Sequence, residues 1–238
     1  MALAELIRLC GVGFSYAAQR PVLDGVDLAL AAGERLALLG ANGSGKTTLL
    51  HLIVGLLRPQ TGEIRAFGST RRAERDFHEV RRRAGLLFQD PEDQLFCPTV
   101  VEDVAFGPIN LGRGHDEAVQ IARRTLESLD LDGYEDRITY KLSGGEKRLV
   151  SLAAVLAMAP DVLLLDEPTG DLDARHRRQL IDALTGRGEA MLLVTHDLEM
   201  VRLLCGRAAL LADGTIAADR PAPDLLADTA LLAEHGVR

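Results

Sequence analysis

Nine residues constrain this chain more than any others. GANGSGKTT, from Gly40 to Thr48, follows the apolar stretch LALLG (Leu36 to Gly40) and opens the helix-like run TTLLHLIVGLL. It satisfies G-x-x-x-x-G-K-[ST] in the strand–loop–helix context that the pattern requires. Gly40, Gly43 and Gly45 let the backbone curl around Asn42 and Ser44 so that its N–H groups point inward, and the helix N-terminus adds partial positive charge. Lys46 is placed to reach a β- or γ-phosphate, and Thr47, followed by Thr48, offers a hydroxyl to Mg²⁺. The plain alternative is a glycine-rich turn that binds nothing; the strand before it and the helix after it argue against that.

Two further segments, DVLLLDE (Asp161 to Glu167) and AMLLVTH (Ala190 to His196), are almost continuously apolar, as strands covered on both faces of a parallel sheet are. Helical patterns run over Lys46 to Leu57, Gly144 to Ala159 and Ala174 to Leu184. Strands alternating with helices predict an α/β core, mostly parallel, with helices on both faces. LIRLCGVGFSY, VLDGVDLAL and TGEIRAFG alternate instead, which predicts a flanking antiparallel β subdomain. Residues 91–149 carry no buried-strand run and predict an inserted helical subdomain. The 238 residues then form one domain, with core segments at about 1–90 and 150–220 and a short helical tail at 221–238.

The balance of 27 basic against 35 acidic residues gives a net charge of −8. That argues against a chain whose main business is gripping nucleic acid. Arg71 to Arg83 holds six arginines, but Glu74, Asp76 and Glu79 intervene, so a solvated helix face is expected. Cys10, Cys97 and Cys205 are widely spaced and read as buried, reduced thiols. Glu5 and Arg8 break the N-terminal apolar stretch, and no uncharged run approaches the ~20 residues of a membrane helix. A soluble cytoplasmic chain is expected.

Asp166 and Glu167 fall at the carboxyl end of a buried strand, where open α/β sheets bind ligands. Beside a phosphate loop they suit a metal-holding Asp and a water-positioning Glu. Gln89 ends AGLLFQ and His196 ends AMLLVTH, at the same edge; each alone means little. KLSGGEKR (Lys141 to Arg148) contains the capping box Ser143–x–x–Glu146, which accounts for a helix start. It leaves the consecutive glycines Gly144 and Gly145 unexplained. They bare N–H groups at a second helix N-terminus, again an anion site, about 100 residues from the first.

Taken together, these residues resemble the nucleotide-binding subunit of an ATP-binding cassette (ABC) transporter over nearly the whole chain. GANGSGKTT is similar to Walker A, Gln89 to the Q-loop, LSGGE to the signature, VLLLDE to Walker B with its catalytic glutamate, TGDLD (Thr169 to Asp173) to the D-loop and His196 to the H-loop. The resemblance implies that the fold is the P-loop NTPase fold of ABC ATPases. It implies that Tyr16 stacks on adenine, that Thr47, Gln89 and Asp166 position Mg²⁺, and that Glu167, His196 and Gln89 act in hydrolysis of ATP. It also implies a head-to-tail dimer with a second ATPase subunit. In that dimer Ser143, Gly144 and Gly145 of one chain close over ATP held by Lys46 of the other, and Asp173 lies at the contact. Two departures stand out: Glu146 replaces a common Gln, and the D-loop reads Gly170–Asp171–Leu172–Asp173.

FQDPEDQLF (Phe88 to Phe96) is similar to the Q-loop and Q-helix of energy-coupling-factor (ECF) importers of vitamins and transition-metal ions. That likeness implies a docking surface at Leu95 and Phe96 for a transmembrane scaffold subunit, a further substrate-binding membrane subunit, and a peripheral place on the cytoplasmic face of the membrane. FGPINLG, LSGGEKRLVSLA and LLADTALLAEHG most resemble the cobalt or nickel branch. A vitamin importer, such as one for biotin, and a soluble ABC ATPase scaffold, such as that of iron–sulfur assembly, are the alternatives. A DNA-repair ABC ATPase is disfavoured by the acidic charge and by the lack of a coiled-coil insertion. The scattered histidines place no transported metal on this chain.

Overall fold

The computed structural model describes residues 4–17 and 21–237. The strands are β1 (Glu5–Phe14), β2 (Leu23–Ala31), β3 (Arg35–Leu39), β4 (Thr61–Ala66), β5 (Ser69–Arg71), β6 (Ala84–Leu87), β7 (Val162–Asp166), β8 (Ala190–Val194), β9 (Arg207–Ala212) and β10 (Thr215–Pro221). The α-helices are α1 (Lys46–Ile53), α2 (Glu74–Arg83), α3 (Val100–Asn110), α4 (His115–Glu127), α5 (Gly144–Leu156), α6 (Ala174–Leu184), α7 (Leu198–Leu204), α8 (Ala222–Ala227) and α9 (Thr229–Glu234).

Six strands form one sheet in the order β10-β9-β3-β8-β7-β6, parallel from β9 to β6 with β10 antiparallel at the edge. The other four form an antiparallel sheet, β2-β1-β4-β5. The apolar runs behave as doubly covered strands should. Leu36, Leu38, Leu164 and Leu192 enter the core facing α1, α2 and the antiparallel sheet. Ala37, Leu39, Leu163, Leu165 and Leu193 enter the opposite core, built on α3 to α8. This period-2 division between two cores explains why the runs show no polar face.

Several sequence expectations shift. The helix expected to reach Leu57 stops at Ile53, because Gly55 adopts φ 73° and the N–H groups of Leu56 and Leu57 both turn back to the carbonyl of His51. Helix α5 ends at Leu156 rather than Ala159, with Met158 and Ala159 in tighter turns before Pro160. The helical insertion starts as α-helix only at Val100; Pro91–Asp93 make a 3-10 turn. Arg71 is no part of a solvated helix face. It is 6% exposed at the end of β5, where its guanidinium donates to the carbonyls of Ala66 and Asp76 and pairs with Glu79 at 2.6 Å. Cys205 is buried as expected, whereas Cys10 and Cys97 are only half-buried; all three are free thiols. No helix among the described residues is long and apolar enough to cross a membrane.

Candidate active site

Strand register brings the chemistry together. Leu87 pairs with Leu165, Asp166 with Val194, and Val194 with Leu38, so β6, β7, β8 and β3 end side by side. Gln89 lies two residues beyond β6, Glu167 one beyond β7, His196 two beyond β8, and the glycine loop follows β3. A cleft of about 730 Å³ opens on this edge, lined by Asn42, Thr47, Gln89, Asp166, Glu167 and His196. A smaller adjoining pocket of about 370 Å³ takes in Tyr16, Gly43, Gly45, Lys46, Thr47 and Thr48.

The loop needs its glycines for two different reasons. A Cβ on Gly40 would meet the Leu211 carbonyl oxygen at 2.4 Å and Ser44 Oγ at 2.7 Å. Gly45, the residue before α1, has φ 105° and its missing side chain would strike Val22 and Leu23. Lys46 is 7% exposed and its Nζ donates to the carbonyls of Gly40 at 2.8 Å and Ala41 at 2.9 Å. Burial lowers its pKa, opposed by Glu167 and Asp166. Tyr16 is 44% exposed; its hydroxyl lies 3.1 Å from Thr48 Oγ1 and its ring packs edge-on against Phe14.

Asp166 is 2% exposed. Burial raises its pKa, against a hydrogen bond from Thr47 and the charge of Lys46. Its Oδ1 and the Oγ of Ser44 are buried with no hydrogen-bond partner among the described residues. A buried carboxylate oxygen left unpaired beside a threonine hydroxyl fits Mg²⁺, which keeps few protein ligands and takes the rest from substrate phosphates and water. Glu167 turns the chain off the strand at φ 44°. Its Oε2 accepts from the His196 N–H at 3.2 Å and lies 2.8 Å from His196 Nδ1, while the imidazole stays mostly in solvent.

Helix α5 opens at the far side of the cleft. Ser143 Oγ accepts from the Glu146 N–H, and Glu146 Oε2 accepts from the Ser143 N–H at 2.8 Å, closing the capping box. Glu146 Oε1 also accepts from the Tyr134 hydroxyl and from Arg137. Three donors meet this side chain, and its pKa is lowered chiefly by the backbone bond at Ser143. An acid at this position therefore has a physical reason. Ser143 and Gly144 are exposed, with Gly144 on the cleft rim. Gly145 is pressed by His176, whose ring a Cβ would meet at 2.6 Å.

Residues 23–170 match the ABC transporter family. The chain belongs to that family. The cobalt import ATP-binding protein CbiO of Rhodobacter capsulatus is 46% identical over 220 residues, 91% of this chain and 79% of that protein. CbiO1 of Clostridium perfringens, part of the ABC transporter complex CbiONQ, superposes with a TM-score of 0.84 at 29% identity, covering 99% of this chain and 96% of that one. A dimeric ATP-binding cassette in a post-hydrolysis state, bound to ADP and Pi, superposes at 0.83 and 26% identity, covering 91% of this chain and 99% of that one. The ABC ATPase fold and its α/β architecture are thereby shown, and the chain is the ATPase of a transporter.

Within this ABC protein the structure corrects one expected pair. Leu95 is 8% exposed and packs in the core with α3 and α5, so it offers no docking surface. Phe96 is 66% exposed and stacks edge-on with Phe106, itself 45% exposed, at 4.8 Å. The two border an apolar groove of about 310 Å³ with Val54, Leu56, Gly107 and Met158. Phe106 escaped the sequence reading because it shares its helix with the core residues Val100 and Val104, and nothing in the apolar pattern tells the exposed positions from the buried ones. Asp173 is exposed and caps α6, accepting from the N–H groups of Arg175 and His176 and pairing with the His176 ring at 2.7 Å. Arg148 also lines the cleft and was missed. The available signal was a charged residue on the stripe Arg148, Leu152, Val155 and Leu156, an otherwise apolar helical face.

Proposed function

We propose that this chain binds MgATP in a head-to-tail dimer of two such subunits and hydrolyses it to drive an ECF-type importer of cobalt or nickel. The observation that carries the reading is the pair of glycine-bared helix starts: one enclosed with Lys46, the other open at Ser143 and Gly144. One nucleotide in one chain needs only one, and a second copy supplies an occupant for the other. The cargo assignment is supported by the likeness to the cobalt import protein CbiO.

In this reading the Tyr16 ring stacks on adenine and the loop N–H groups hold the phosphates. Lys46 exchanges the Gly40 and Ala41 carbonyls for β- and γ-phosphate oxygens. Thr47, Asp166 and Gln89 hold Mg²⁺, which offsets charge on the β- and γ-phosphates when bound. Glu167 accepts a hydrogen bond from the attacking water, and His196, already against Glu167, turns its imidazole toward the γ-phosphate. Phe96 and Phe106 receive a helix of the transmembrane scaffold subunit, which together with a substrate-binding membrane subunit carries the metal. The ATPase then lies peripherally on the cytoplasmic face of the membrane.

The test is uptake of radiolabelled Co²⁺ and Ni²⁺ by cells carrying the full transporter. Wild type accumulates one of them, while Glu167→Gln and the pair Phe96→Ala with Phe106→Ala do not. The double alanine keeps MgATP binding, and each truncation weakens scaffold association by about 1–2 kcal/mol. Uptake of a vitamin such as biotin, with neither metal, overturns the metal assignment and leaves the motor assignment standing.

A further inference from the structure

Arg148, the fifth residue of α5, is 4% exposed and has no carboxylate within salt-bridge distance among the described residues. Its Nη1 donates to the Phe88 carbonyl at 2.6 Å and its Nη2 donates to the Gln89 carbonyl. Nε is buried without a partner. Asp90, Asp166 and Asp171 are the charges that favour its protonated form against burial. A guanidinium held this way is an expensive choice for packing. Leu149 and Leu152 beside it are fully buried, and an apolar residue would join them without the desolvation cost. What the arginine adds is a link between two elements. Helix α5 begins at the open anion site of Ser143 and Gly144, and the two carbonyls belong to the segment that presents Gln89 to the cleft.

We propose that Arg148 is a positioning residue: by clamping the Phe88 and Gln89 carbonyls it makes α5 and the Gln89 side chain move as one body. The proposal rests on the reading of Gln89 as a participant in hydrolysis. Seating the α5 N-terminus on a second copy's nucleotide then sets Gln89 in the chain's own cleft. A second tether keeps the segment folded without the arginine. Gln94 accepts from the Phe88 N–H at 3.2 Å and donates to the Ser151 carbonyl at 2.8 Å.

Steady-state ATPase kinetics of the full chain test this with Arg148→Met, Arg148→Lys, Gln89→Ala and the combination of Gln89→Ala with each arginine variant. Arg148→Met should lower kcat on the order of 10-fold and leave KM for ATP within about 2-fold. Arg148→Lys, still able to donate to one carbonyl, should recover part of the loss. In the Gln89→Ala background neither substitution should lower kcat further, because the group being positioned is gone. An unchanged kcat, or the same fold-loss repeated on Gln89→Ala, overturns the proposal. If Gln89→Ala alone retains wild-type kcat, the reading of Gln89 fails first and takes the proposal with it. Should Arg148→Met not fold, the milder Arg148→Lys pair answers the same question.

Discussion

Helix α1 begins with Gly45 buried against Val22 and Leu23 and with Lys46 folded back on its own loop. Helix α5 begins with Ser143 and Gly144 in solvent. Both starts offer first-turn N–H groups that lack intrahelical acceptors, and both gain from an anion placed there. The difference is what surrounds them. At α1 the helix itself brings a lysine and a threonine, Lys46 and Thr47, and the adjoining end of β7 supplies two carboxylates, Asp166 and Glu167. At α5 the chain supplies a capping box and one imidazole against Gly145. Local sequence makes each helix start; in the proposed reading, tertiary context makes one a site for a whole nucleotide and leaves the other a half-site.

Breaking the chemistry of the closed site should give the largest effect. Glu167→Gln removes the carboxylate proposed to position the attacking water and is expected to slow hydrolysis on the order of 10²-fold or more while ATP affinity stays near wild type. Single-turnover kinetics beside equilibrium nucleotide binding check this; a matching loss of affinity contradicts the role. Lys46→Ala should act the other way, weakening ATP binding by roughly 1.5–3 kcal/mol through loss of charged hydrogen bonds.

The open site is sharpened by its one crowded position. Gly145→Ala drives a methyl into the His176 ring, which Asp173 holds, and overpacking of this kind costs about 1–3 kcal/mol. Nucleotide-dependent pairing should weaken, and adding His176→Ala should restore part of it. Pairing that ignores both changes would remove His176 from the geometry of the half-site.

The smallest effect is one of stability. Burial raises the Asp166 carboxyl pKa above its ordinary value, so the folded chain binds that proton more readily than the unfolded one. The contribution favours folding below the unfolded carboxylate range and is lost as pH rises through the raised value. Asp166→Asn should therefore raise the nucleotide-free Tm at pH 7 by about 2–4 °C, with the gap closing toward pH ~4, while Mg²⁺-dependent hydrolysis falls. A lower Tm at pH 7 contradicts the unpaired, charge-burdened carboxylate.

Much of this was legible in the sequence, and what was hidden has physical reasons. Gly40 to Thr48 and Ser143 to Glu146 declare themselves because backbone exposure and capping are local. Strand β9 did not, since AALLA reads as helix by propensity; its neighbours β3 and β10 override that. Leu95 and Phe96 are adjacent and equally apolar, so only tertiary packing tells that one is core and the other surface. Arg71 read as surface charge and Arg148 drew no reading, because most of the acceptors that hold them are backbone carbonyls, which no residue pattern displays.

The most direct measurement of the two-half-site account is the association state of the Glu167→Gln chain by sedimentation with MgATP, with MgADP and without nucleotide. The account predicts a dimer with MgATP and monomer in the other two conditions. It also predicts that adding Ser143→Arg, a bulky cation at the open helix start, abolishes the dimer while ATP still binds. The same monomer–dimer balance in all three conditions, or a MgATP dimer that survives Ser143→Arg, would contradict it.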